Sequence, residues 1–440
     1  MPPSSLSLAT PRGGRSPAAR QSRFRGFLLG RVGAILLAGG VLPWCALAQS
    51  SPYFVGVSQT FGSDDNLLRL GENDVAPEGY AKADTFSTTT LLAGFNQGIG
   101  RQRVFANLSL RDTRYSRNDI FDNQGYSLRS GLEWATVERL SGGVNLSASR
   151  NLQRFGSAEI GFLREKNLET VRTLSTRVSL GLVTEYSLEL SGGRTEVSNS
   201  LQQPGVQARN FTQDNASLGV RWSPSSYTSV GLSVGSTRGR YPKFRVTADG
   251  FQADRFKRDD VSVSANYRLS GASSFDARFS TGKTVYDLNE QRNFDGVTGQ
   301  VAWIWQPTIK TVFTTSLTRD TGQESYATAI FTLPAIADYS RDNTAARIAA
   351  DYSFSAKVGF TASVLYYRNT VVRTIENPFL PLAADGREKV TQLTLGARWT
   401  PLRSTQLGCD LNTQDRRAEG ALVVNLRGTQ FSCFGQFTLQ

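Results

Sequence analysis

The sequence predicts an all-β chain: a transmembrane, antiparallel, up-and-down β-barrel of about 18 strands, with both termini on the periplasmic side. Three observations carry this. Segments alternate apolar and polar residues with a period of two, their connections fall into a short and a long class, and tryptophan recurs at the last apolar position before short turns. The clearest hairpin is centred on Arg221-Trp222-Ser223-Pro224-Ser225-Ser226. Ahead of it Ala216, Leu218, Val220 and Trp222 share one parity, and Ser217, Gly219 and Arg221 hold the other. After it Val230, Leu232 and Val234 resume the apolar face against Ser229, Gly231 and Ser233. The arrangement recurs at Leu132-Glu133-Trp134, at Trp303-Ile304-Trp305-Gln306-Pro307 and at Ala397-Arg398-Trp399-Thr400-Pro401. Trp134, Trp222, Trp305 and Trp399 are therefore expected in an aromatic girdle at a membrane interface. A soluble sandwich or propeller accounts for neither the two loop classes nor the tryptophans.

Residues 1–48 read as a secretory signal peptide, and residues 49–440 as the barrel. Arg12, Arg15, Arg20, Arg23, Arg25 and Arg31 precede an apolar run from Val32 to Leu42, and Ala46-Leu47-Ala48 supplies a small-x-small cleavage site before Gln49. The run is shorter than the roughly 20 residues of a spanning helix. Cys45 does not suit a lipoprotein signal, because Trp44 stands where such signals carry a small residue. The expected location is the outer membrane of a Gram-negative bacterium after cleavage, with membrane lipid as a partner. The leader holds six Arg and no carboxylate, so the formal charge of +12 falls to +6 on maturation. Nucleic acid is not an expected partner, since no nucleic-acid module accompanies that charge.

After the leader, strands are expected near 52–61, 85–97, 102–116, 125–135, 140–153, 169–181, 184–196, 211–222, 227–240, 257–269, 273–285, 294–306, 309–319, 341–354, 356–371, 388–400, 403–415 and 425–439. Short turns fall at Gly98–Arg101, Ser223–Ser226, Ser270–Ala272, Pro307-Thr308 and Pro401-Leu402. Long connections fall at 62–84, 154–168, 197–210, 241–256, 320–340 and 372–387, as external loops would. A closed sheet satisfies its own backbone, so only outward side chains need be apolar. Leu174, Val178 and Leu180 then face lipid while Ser175, Arg177 and Ser179 face the lumen, and Leu393, Leu395, Ala397 and Trp399 alternate with Thr394, Gly396 and Arg398. The closing stretch Phe431–Gln440 alternates like an outer-membrane insertion signal, although it ends Leu439-Gln440 rather than on an aromatic residue.

Several residues carry the functional expectations. Arg129, Arg177, Arg221 and Arg398 are pore-lining candidates that either bind anionic groups by paired hydrogen bonds or pair with wall carboxylates such as Glu133, Glu185 and Glu189. Tyr367, predicted inward, could stack on sugar rings. Cys409 and Cys433 lie on the last two strands, on the apolar parity; they are either bridged, which export permits, or two small apolar residues. The absence of His removes His-activated nucleophiles and His-ligated metals, and no carboxylate pair stands out, so no catalytic residue or cofactor is expected. Asp64-Asp65-Asn66 is either a solvated turn or a loop that binds a cation or caps the barrel mouth. The apolar stretch Ala327–Ala337 is a constriction, an extension of its strands, or a contact surface.

The series Tyr53–Phe61, Asp64-Asp65-Asn66-Leu67-Leu68-Arg69-Leu70, Asp84, Gly100-Arg101-Gln102, Tyr115, Asn118, Asp122, Gly125 and Trp134 resembles the EpsL-type outer-membrane proteins encoded with exopolysaccharide biosynthesis genes. The resemblance covers roughly residues 52–135. It implies an outer-membrane location, a part in polysaccharide production or export, and that machinery as a partner. It carries no catalytic residues. Three functions follow: a polysaccharide channel, a general diffusion porin, or a plugged barrel serving as scaffold or adhesin.

Overall fold

The computed structural model describes residues 51–153, 165–183, 185–288, 290–320, 340–375, 382–420 and 425–440. Residues 1–48, expected to be a leader, and the stretch Ala327–Ala337 lie outside the described residues. The strands are β1 Tyr53–Asp64, β2 Asp84–Ile99, β3 Gln102–Tyr115, β4 Asn123–Ala135, β5 Leu140–Gln153, β6 Asn167–Val183, β7 Tyr186–Asn199, β8 Phe211–Ser225 and β9 Thr228–Thr247. They continue as β10 Gly250–Ser270, β11 Ser273–Tyr286, β12 Phe294–Thr308, β13 Thr311–Asp320, β14 Ser340–Tyr352, β15 Val358–Ile375, β16 Leu382–Leu402, β17 Thr405–Gly420 and β18 Leu426–Leu439. Each pairs antiparallel with the next, and β1 pairs with β18 from Val55↔Leu439 to Asp64↔Gln430. The sheet is a closed barrel of 18 strands. No helix among the described residues is long and apolar enough to cross a membrane.

Register sorts the side chains. Residues directly opposite in an antiparallel pair share a face, so Leu190, Leu218, Val234 and Val261 form one continuous row across β7–β10. All four sit on the outside and are exposed there. On β4 the outward row runs from Tyr126 to Trp134, eight residues on. That is about 26 Å along the strand, or about 20 Å along the axis at a tilt near 40°. An apolar band of this height matches the lipid-facing belt of a barrel. At its short-turn edge the rings are contiguous, with Phe275, Trp303, Trp305 and Phe313 stacking at centroid distances of 5.5–5.8 Å.

The Trp-x-Pro hairpins share one device. Pairing runs to Trp222↔Val230, Trp305↔Phe313 and Trp399↔Leu407, then skips two residues before resuming at Ser225↔Thr228, Thr308↔Thr311 and Leu402↔Thr405. The skipped residues include Pro224, Pro307 and Pro401, which have no ladder N–H to give. The residue before each proline donates its N–H the other way, Ser223 to the Glu185 carbonyl, Gln306 to Ala272 and Thr400 to Lys357. The same link recurs as Gly181 to Arg139, Arg268 to Tyr227, Ser353 to Lys310 and Thr438 to Ser404, so successive short turns are tied into one rim.

Two expectations are corrected. Residues 241–256 are not a loop: β9 and β10 run through them and turn between Thr247 and Gly250. Likewise β15 continues to Ile375, and β16 begins at Leu382. The outward face has already turned from apolar to charged at the ends of the expected strands, Arg238, Arg240 and Lys257, and continues so at Arg255, so the alternation fades from the sequence while the backbone ladder continues.

Candidate functional site

The lumen is the one compartment that every strand builds, and two levels differ in chemistry. Towards the short turns the inner wall is charged. Arg221 on β8 meets Glu189 on β7 through two parallel hydrogen bonds of 2.7 and 3.0 Å, a fork geometry that holds both side chains against the wall. Arg177, opposite Ser191, lies close enough for its charge to act on Glu189. Arg398 on β16 pairs with Asp410 on β17, donates to the carbonyls of Ala397 and Cys409 at 2.9 Å, and lies over the Phe434 ring. Arg103 reaches Glu133 at 3.3 Å. Arg129, between Asn107 and Ser147, is exposed to the lumen and makes no hydrogen bond or ion pair with the described residues.

The sequence candidates therefore divide. Arg221 and Arg398 are wall-pinning ion pairs, whereas Arg129 and Arg177 keep their charge available to solvent. Tyr367 faces inward beside Glu388 and Arg416. Glu388 accepts from Asn369 at 2.8 Å and pairs with Arg416 at 3.7 Å, so Tyr367 joins a packed polar cluster. Glu185 is not a wall carboxylate: it sits in the β6–β7 turn and accepts the Trp222 indole N–H at 3.2 Å, because the strand begins one residue later, at Tyr186. Trp134, Trp222, Trp305 and Trp399 all lie on the outward parity at the short-turn end. Cys409 and Cys433 are direct cross-strand partners on the outward face and are joined by a disulfide.

Towards the long connections the inner wall changes character. Val197, Phe211, Tyr241, Phe256 and Tyr286 point inward from β7–β11 and pack as a buried cluster. Phe256 fits only because Gly239 is opposite: a Cβ there would stand 2.1 Å from its ring. The β11–β12 connection folds inward, and its 3-10 turn Glu290–Arg292 lies against β14 and β15. Arg292, 3 % exposed, places its guanidinium carbon 4.7 Å from the Tyr286 ring centroid and 5.3 Å from that of Tyr241. The connection is held by Asp254 accepting Leu288 N–H at 2.9 Å and Asn293 accepting Tyr286 N–H at 2.7 Å. Below it Arg258, 2 % exposed, donates to the hydroxyls of Thr284 and Thr298. Aromatic side chains thus cover the inner wall of β7–β11 at this level.

None of this layer was named from the sequence. A signal existed for part of it, since Phe211, Phe256 and Tyr286 stand on the polar parity of their strands. Nothing in the sequence distinguishes Arg292 from a solvated loop cation.

Asp64-Asp65-Asn66 is no solvated turn. Asp64 is 2 % exposed and pairs with Arg69 at 3.4 Å, Asp65 accepts Thr429 N–H, and Asn66 bridges Leu70 and Arg427. These oxygens are turned to different donors, so the loop fastens the β1–β18 seam. Among the described residues no group of three or more His, Cys, Asp or Glu side chains could hold a metal ion.

Closed 18-stranded antiparallel barrel is the class this geometry defines. No family model and no curated protein matches the chain. Among solved structures, OpdQ of Pseudomonas aeruginosa is similar over 89% of this chain and 99% of its own, at 12% identity and a TM-score of 0.46. OccK2 (OpdF) of the same organism, solved in complex with glucuronate, is similar over 88% and 98%, at 10% identity and 0.47. The FrpB iron transporter of Neisseria meningitidis is similar over 83% of this chain but 62% of its own, at 10% identity and 0.47, so the chain spans less than two thirds of that transporter. Each is similar in outline only.

Proposed function

We propose that this chain, once its leader is removed, is an outer-membrane channel through which small hydrophilic solutes diffuse. The observation that carries the reading is the two-sidedness of the closed sheet: an apolar, aromatic-edged outer belt around a lumen lined by charge, with Arg129 and Arg177 exposed to it. The aromatic layer at the long-loop end favours small solutes over a bulky polymer. A second reading, passage of polysaccharide, rests on the likeness of residues 52–135 to the EpsL-type proteins.

Single-channel conductance of the refolded barrel, with and without acidic and neutral polysaccharide fragments, tests both. Small-solute diffusion predicts an open conductance that the fragments leave unchanged. Block by the fragments overturns it in favour of the polysaccharide reading. A barrel that inserts without conducting overturns both and leaves a scaffold.

A further inference from the structure

Just outside the apolar belt, the lipid-facing surface carries an arrangement that electrostatics alone disfavours. Arg368 on β15 is directly opposite Lys389 on β16, which is directly opposite Arg417 on β17. Like charges at directly opposed positions destabilise a sheet. Here three stand in one row across three strands. The adjoining rows add Arg387 with Glu419 on one side, and Asp415 with Arg427 on the other. Lys389 reaches Glu419 at 2.8 Å and Arg417 reaches Asp415 at 3.6 Å. Among the described side chains of this patch, five cations face two carboxylates, leaving three positive charges in excess.

Depth identifies what neutralises them. Tyr366, two residues before Arg368 on the same outward parity, is 45 % exposed and marks the edge of the apolar belt. The cation row therefore stands at head-group depth, on the face that touches lipid rather than lumen. The signature recurs on β9 and β10, where Arg238 opposes Lys257 and Arg240 opposes Arg255. There Lys257 pairs with Asp259, two residues on along β10, at 2.5 Å, and the other neighbouring carboxylate, Asp214, is already paired with Arg194.

Resting on the outer-membrane reading above, the geometry points to a lipid-binding site: the row Arg368–Lys389–Arg417 holds the phosphate groups of a phosphorylated glycolipid head group in the surrounding leaflet. Guanidinium groups bind phosphate oxygens in pairs, and a lysine between them supplies a point charge. The acyl chains of such a lipid would lie along the apolar belt below Tyr366. A soluble polyanion has no such reason to select this depth.

The test uses the folded, full-length mature barrel in detergent, titrated with diphosphorylated lipid A or with the same lipid stripped of phosphate, and bound lipid is counted by native mass spectrometry. The wild type should prefer the phosphorylated form. The triple variant Arg368→Gln, Lys389→Gln, Arg417→Gln should bind it about 100-fold more weakly, each cation near a charged membrane surface being worth roughly a factor of five. Arg114→Gln, which removes an outward cation on β3 already paired with Asp112 and Asp122, should leave binding unchanged. Equal binding of the two lipids by the wild type, or equal binding by wild type and triple variant, overturns the proposal. Insertion into phosphatidylcholine vesicles is measured separately. A barrel that inserts yet shows no lipid preference sinks this inference alone, and one that fails to insert sinks the membrane reading.

Discussion

Arg292 lies over the ring of Tyr286, its guanidinium carbon 4.7 Å from the centroid, although one residue comes from a connection and the other from the barrel wall. The contact converts a surface loop into part of the lumen. Arg292→Ala should release the 3-10 turn from the aromatic cluster and raise single-channel conductance. The lost cation–π contact is worth about 2 kcal/mol where desolvated. Unchanged conductance would show that the narrowest section lies elsewhere.

The two kinds of lumen arginine should separate in ion selectivity. Arg221→Ala strands the Glu189 carboxylate that it holds through two hydrogen bonds, so reversal potentials in a salt gradient should move towards cations. Arg129→Ala removes an unpaired charge and should move selectivity the same way without loss of stability. A reversal potential unmoved by Arg129→Ala would remove that residue from the conducting path.

Neighbouring residues on β16 report which face is which. Leu395 points outward in mid-belt, 41 % exposed, and Thr394 points inward. Leu395→Arg should cost about 2–4 kcal/mol in folding from urea into vesicles. Thr394→Arg should cost far less. Equal costs would contradict the assigned register.

The Cys409–Cys433 bridge spans a sequence separation of 24 residues. Its removal by Cys409→Ser with Cys433→Ser should destabilise the barrel by about 3 kcal/mol, read as a lower urea midpoint. Reductant should shift the wild type and leave the variant where it is.

What the sequence disclosed was whatever the bilayer dictates. Outward residues such as Leu218, Val220 and Trp222 must be apolar, so their alternation is written plainly and all 18 strands could be found. Beyond the belt that demand ends: past Arg238, Arg240 and Lys257 the alternation fades, and the continuation of β9 and β10 through 241–256 reads as a loop. Inside the lumen the choice is freer still: arginine suits both a bound partner and open water. Arg221 and Arg129 look alike in sequence, and only the register that places Glu189 within reach of one of them tells them apart.

The hydrogen bonds that link each short turn to the next hairpin have a mechanical consequence. A hoop tied at seven of its short turns resists ovalisation, because widening one gap must stretch its neighbours as well. Links of the same kind close four seams at the opposite end, from Asp65 to Thr429, Ser116 to Thr85, Ser200 to Leu168 and Asp287 to Arg255. The cylinder is therefore braced against ovalisation near both of its ends, and an opening at one seam loads the seams beside it.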